Sequence, residues 1–217
     1  MTTSRLQIYN DALLYVGERS LASLTENREP RYLLDQVWNN DGVQGCLEEG
    51  QWFFAMRAAK IGYDTDITPE FGYANAFPKP TDWVRTCGLC SDEFFREPLL
   101  RYNDEAGYWN ADLNTIYVRY VSNSVDFGMN LDLWPRSFAE FVAAHFAMKV
   151  VMKISGDDAM FKRTMALRER LKLLARSKSA MAEPTQVMPS GNWSRSRIRG
   201  YNRSGRDGGN TSGDLIP

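Results

Sequence analysis

Three cysteines and a single histidine set the outer limit of the nucleophilic and metal chemistry open to this 217-residue chain. Cys87 and Cys90 stand in "CGLC", the C-x-x-C spacing of dithiol redox sites and of half a zinc site. A structural zinc takes four ligands, and the remaining candidates, Cys46 and His145, show no spacing signature. A dithiol site opens a helix after a strand, whereas "WVRTCGLCSDEFF" reads as a strand entering a turn. Two packed or half-exposed thiols are expected, with no metal and no cofactor. His145 lies mid-helix with Lys149 and Lys153 at i+4 and i+8, so the three share one polar stripe. The plain expectation for this stripe is a solvated or intersubunit face. The sharper one is a basic stripe toward DNA in a channel or toward an acidic neighbour.

The carboxylates point away from catalysis. Pairs occur at Glu48/Glu49, Asp64/Asp66, Asp104/Glu105 and Asp157/Asp158. Each has a simpler place: a helix end, a loop, a hairpin turn, and a helix N-terminus that favours negative charge. The only "GRDGG" lies near the C-terminus with no strand before it, so no phosphate-cradling loop is present. No catalytic residue is assigned, and the chain is read as a non-enzyme.

Charge narrows the choice of partners. Up to Ala175 the chain carries 19 bases and 24 acids, a net of −5; from Arg176 onward it carries seven bases and three acids, a net of +4. An acidic body with a basic tail suggests that the tail meets something anionic. The longest apolar stretch, Phe138 to Val151, is broken by Glu140, His145 and Lys149, short of a membrane span. "MTTSRLQIYN" has no secretory pattern, and a cytoplasmic site of synthesis is expected.

The elements that must position these residues follow from period and punctuation. Leu6, Tyr9, Leu13 and Val16 have helical spacing between a Thr2/Thr3/Ser4 cap and Gly17. Pro30 opens a second helix running to about Glu49, weakened in its middle by Gly42 and Gly45. "QWFFAMRAAKIGY" and "TDWVRTCGL" read as strands. "FREPLLRYN" and "NTIYVRYV" read as a hairpin whose turn holds Asp104, Gly107 and Asn110, with Ile116, Val118 and Tyr120 on one face of the second strand. Two long helices follow, one from Pro135 to about Ile154 and one from about Asp158 to Ser179, the latter capped by Ser155 or Asp157. The expected fold is α+β: a helical bundle of two N-terminal and two long C-terminal helices beside a small antiparallel sheet region. The expected body spans 1–182, with helices at 4–49 and 135–179 around a β region at 51–125. Trp52, Phe53, Phe54, Phe71, Tyr73, Phe77 and Trp83 exceed one face of a small sheet, and the surplus points to subunit interfaces.

Residues 183–217 form an extended C-terminal arm of Pro, Ser, Gly, Asn and Arg. Such a composition buries too little apolar surface to offset its ordering entropy, so disorder in isolation is expected. Trp193 and Tyr201 are its candidate anchors, with Arg195, Arg197, Arg199 and Arg203 as charged contacts.

Three stretches in order resemble one family. They are "YNDALLYVGERSLASL", "EEGQWFFAMRAAKI", and "YANAFPKPTDWVRTCGL" with Tyr73, Ala74, Pro78, Asp82 and Arg85 carrying the pattern. Together with the paired helices after "LWPRSFAEFVAAHFA", they are similar to tail tubular protein A, the head-to-tail adaptor of short-tailed bacteriophages. The Lys79-Pro80 insertion departs from the family's pattern. The resemblance, over about residues 5–180, implies a structural virion protein at the head–tail junction, assembled in the host cytoplasm. It implies a ring of identical subunits, typically a dodecamer, beneath the portal protein, with double-stranded DNA passing through without sequence-specific binding. A further tail protein, a nozzle or tail tube, would lie below, and no membrane is involved. The arm would then be the portal-binding element, and an acidic channel wall would let DNA slide. The alternatives are a nucleic-acid-binding protein acting through the basic arm and a virion-associated cell-wall hydrolase, for which no motif is identifiable.

Overall fold

The structure, a computed structural model, describes residues 3–40 and 42–182. Its helices are α1 (Arg5–Val16), α2 (Glu29–Asn39), α3 (Gly42–Glu48), α4 (Arg136–Ile154) and α5 (Asp158–Ala180), and between α3 and α4 lie six strands in two small antiparallel sheets. The α+β class expected from the sequence is the class observed.

The ends of α1 follow from its caps. Ser4 Oγ accepts the Gln7 N–H at 3.2 Å, and Gly17 turns the chain out at φ 81°, where a side chain would be strained. The single helix expected over 30–49 is two. It stops at Asn39, and α3 begins at Gly42. Gly42 sits so close to its neighbours that a Cβ would lie 2.5 Å from the Val37 carbonyl oxygen and 3.1 Å from the Phe146 ring. The glycine thus weakens a continuous helix and permits the close approach that replaces it.

The strand predicted at "QWFFAMRAAKIGY" opens with a tight turn over Phe53–Ala55 before β1 (Met56–Gly62). The first sheet has the order β1–β6–β3, with β3 at Trp83–Cys90 and β6 at Thr115–Ser122. Met56 pairs with Val121 and Gly62 with Thr115. Against β3, Trp83 pairs with Ser122 and Cys90 with Tyr117, with register shifts that leave Val84 and Cys87 out of the ladder. The second sheet has the order β2–β5–β4, from Asn75–Pro78, Tyr108–Ala111 and Asn103–Glu105.

The hairpin predicted between "FREPLLRYN" and "NTIYVRYV" is not formed. Both edges of β6 are taken by the longer strands β1 and β3, and the segment with Pro98, which lacks a backbone donor, gives only an isolated bridge to Cys90. Asp104 and Asn110, expected in the turn, lie in β4 and β5; Gly107, at φ 86°, alone of the three occupies a turn position.

Two cores result. The larger joins α1–α5 and gathers Tyr9, Trp52, Phe138, Phe141 and Phe146. The smaller lies between the sheets, around Phe77, Trp109, Ile116, Val118 and Tyr120. Strand β6 serves both: Ile116, Val118 and Tyr120 face the small core as the alternation predicted, while Val121 enters the large one. No helix among the described residues is long and apolar enough to cross a membrane.

Candidate functional site

His145, Lys149 and Lys153 do line one surface. They form a wall of a groove of about 450 Å³, facing Leu33, Gln36 and Val37 of α2 and Asn40 at its end, with Gly42 and Gly45 along α3. The expectation of a solvated stripe fails at His145, which is only 7% exposed, and holds for Lys149 and Lys153, which are exposed. The reason is α5. Arg168 donates from Nε to His145 Nδ1 at 3.0 Å and pairs with Glu49 and Glu169, while Lys172 Nζ reaches Glu49 at 3.2 Å and Glu169 at 2.5 Å.

Burial, then the positive charges of Arg168 and Lys149, hold His145 down to about 4. At neutral pH the ring is uncharged and its proton sits on Nε2, because Nδ1 accepts from Arg168. A general base works best with a value near the operating pH and a free acceptor nitrogen. His145 has neither, and its geometry is that of a neutral polar pin between α4 and α5. The spacing i, i+4, i+8 located the stripe, but it could not show that a guanidinium from another helix covers one end.

The three cysteines are free thiols, Cys46 and Cys90 buried and Cys87 half-buried. Desolvation raises all three above the ordinary thiol value, which disfavours the nucleophilic thiolate. Cys87 and Cys90 both lie within β3, as the strand reading required. Among the described residues no group of three or more His, Cys, Asp or Glu side chains is placed to hold a metal ion.

Two residues that carry the family resemblance have structural partners that the sequence did not reveal. Asp82, where the chain turns into β3, accepts from Ser122 Oγ at 2.5 Å, Arg57 Nη1 at 3.0 Å and Tyr120 Oη at 3.1 Å. Burial raises its carboxyl, but these donors together carry it below the usual carboxylate range; burial and the same carboxylate push Tyr120 up to about 12. Arg85 Nη1 donates to the Glu48 carbonyl at 2.9 Å, satisfying an orphan acceptor at the end of α3. Asp82 and Arg85 thus tie strand β3 to its sheet and to the helical layer. A second missed centre is Asp35, which accepts from Arg5 at 2.7 Å, Arg31 at 2.6 Å and Tyr9 Oη at 2.9 Å. Its one local sign was the Arg31/Asp35 spacing of i, i+4.

The aromatics separate by role. Trp52 and Phe54 stack on Phe138 at 4.8 and 4.7 Å between ring centroids, and Phe77 is buried between the sheets. Phe71 is 85% exposed. A second hollow, about 370 Å³ and largely apolar, lies between Trp52–Phe54, Pro135–Phe138 and the end of α5. Helix α5 itself buries only Thr164 and Ala175 of its 23 residues. Met165, Leu173 and Leu174 are exposed on it, Leu173 at 63%, and Met181, which caps its end, is 79% exposed. The arm residues Trp193, Arg195, Arg197, Arg199, Tyr201 and Arg203 lie outside the described residues. Compared with models of known protein families and with curated proteins, the chain matches none.

Proposed function

We propose that the protein is a structural virion subunit, a head-to-tail adaptor whose copies form a ring beneath the portal, continue the DNA channel and join the next tail component. The observation that carries this reading is α5. A 23-residue helix with two buried residues and three large exposed apolar side chains, followed by exposed Met181, is a surface suited to protein contact. The resemblance of residues 5–180 to the adaptor family supplies the particular assembly. The joints at Asp82, Arg85 and Asp35 support it, since they tie helices and strands into a stiff body.

In this reading the helical bundle and the sheet region remain one body while the C-terminal arm reaches the portal. DNA passes without being held. The test is negative-stain electron microscopy of the full-length protein mixed with the portal protein of the same virus. The expected result is a closed ring stacked coaxially on the portal. Portals that remain bare at saturating adaptor concentration would overturn the proposal.

A further inference from the structure

The outward side of α5 carries a specific pattern. Ala159, Ala166, Leu173 and Ala180 recur every seven residues and are all exposed, so they form one low ridge along the helix. Lys162, Arg163, Arg170 and Arg176 flank that ridge, and no ion pair joins any of the four to an acid among the described residues. The surface is thus apolar in the middle, cationic at its edges and short of counter-charge.

The same chain presents the complement elsewhere. The segment from Tyr63 to Ala74, between β1 and β2, exposes Tyr63, Ile67 and Phe71, and between them stand Asp64, Asp66 and Glu70. No lysine or arginine occurs between Lys60 and Lys79. This loop lies far from the α5 terminus of its own copy. Ser179 of α5 donates to the Gln51 carbonyl and accepts from the Phe53 N–H, just before β1 begins, whereas the loop follows Gly62 at the other end of that strand. Seven strand residues separate the two by roughly 20 Å.

We infer that the outward face of α5 docks the Tyr63–Ala74 loop of a second copy, Phe71 and Ile67 lying on the Ala/Leu ridge while Asp66 and Glu70 meet the flanking bases. This rests on the assembly reading and names the surfaces that would make it. The two faces differ, so the contact is head-to-tail; such contacts close into rings when the rotation per copy divides a full turn. Small residues on the ridge let aromatic side chains approach the helix closely. Opposite charges at the rim set register and suppress wrong pairings more than they add affinity. The large exposed apolar side chains Met165, Leu173 and Leu174 of α5 favour a protein occupant over a nucleic acid, which is held chiefly through phosphates.

Two double variants of the full-length chain test this. Arg163→Glu with Arg170→Glu reverses the helix face, and Asp66→Lys with Glu70→Lys reverses the loop. All four side chains are surface charges without ion-pair partners among the described residues, so thermal melting should be unchanged. Association is read by sedimentation velocity and by ring formation on the portal. Each variant alone should associate at least about tenfold more weakly than wild type, and an equal mixture of the two should regain association, because the reversed helix of one then meets the reversed loop of the other while their intact helix and loop meet as in wild type. Wild-type rings that survive both reversals unchanged would overturn the inference and leave the adaptor reading standing. Wild-type protein that forms no ring, alone or on the portal, would remove both. Loss of duplex-DNA retention in the helix variant alone, with assembly intact, would reassign the face to nucleic acid.

Discussion

Helices α4 and α5 are neighbours of similar length, linked through Ser155–Asp157, and they have opposite environments. Twelve of the 19 residues of α4 are buried, against two of the 23 of α5. Helix α4 packs against every other helix of the described chain and forms the spine of the larger core. Helix α5 uses one narrow side, around Thr164, Arg168 and Ala175, and turns the rest outward. Their compositions already differ: α4 is rich in Ala, Phe and Val, while α5 has seven Lys and Arg residues and a broad polar face. One chain can thus build a helix for its own stability beside one whose exposed face is available to something else.

The largest break in that comparison should come from inside α4. Phe138 stacks against Trp52, Phe54 and Trp134, all within 4.8 Å between ring centroids. Phe138→Ala should cost about 3–5 kcal/mol, the range for deleting a buried aromatic ring, and lower the melting temperature by roughly 10 °C in calorimetry. A smaller loss is expected at the wall that α4 shares with α2 and α3. Gly42→Ala would press a methyl group onto the Val37 carbonyl and Phe146, an overpacking cost of about 1–3 kcal/mol measurable by urea unfolding.

The seam between the two helices has a pH signature. His145 titrates near 4 when folded and near 6.5 when free, so between those values the unfolded chain binds a proton that the folded chain refuses. Stability therefore falls as pH drops from about 6.5 toward 4, by on the order of 3 kcal/mol at most. His145→Gln, which keeps an acceptor for Arg168, should flatten that part of the pH–stability curve; an unchanged slope would show that His145 is not the cause. The smallest effect on folding should come from the outward face of α5. Leu173→Gln should alter stability by less than about 0.5 kcal/mol while weakening ring formation in the electron micrographs. A substantial loss of stability would mean that α5 packs internally after all.

What the sequence made legible follows the same division. Local signals located α1, α4 and α5 closely, because their caps sit beside the periods they end: Ser4, Gly17, Pro135 and Asp157 all stand at the predicted termini. Strand pairing was not local. The rejected hairpin and the two-sided use of β6 depend on which strands compete for its edges, and no window of sequence contains that competition. The polar stripe on α4 was visible as a spacing, yet the burial of His145 came from Arg168, 23 residues later. Asp82 was visible as part of a motif, and its role became clear only beside Arg57, Tyr120 and Ser122.

Strand β6 has a mechanical consequence. It is hydrogen-bonded along both edges, with side chains set in the sheet core on one face and in the helical core on the other. A load applied along it would shear two ladders at once instead of unzipping either bond by bond. Such a strand would behave as a rivet between the two layers, and single-molecule pulling along β6 should meet its highest resistance there.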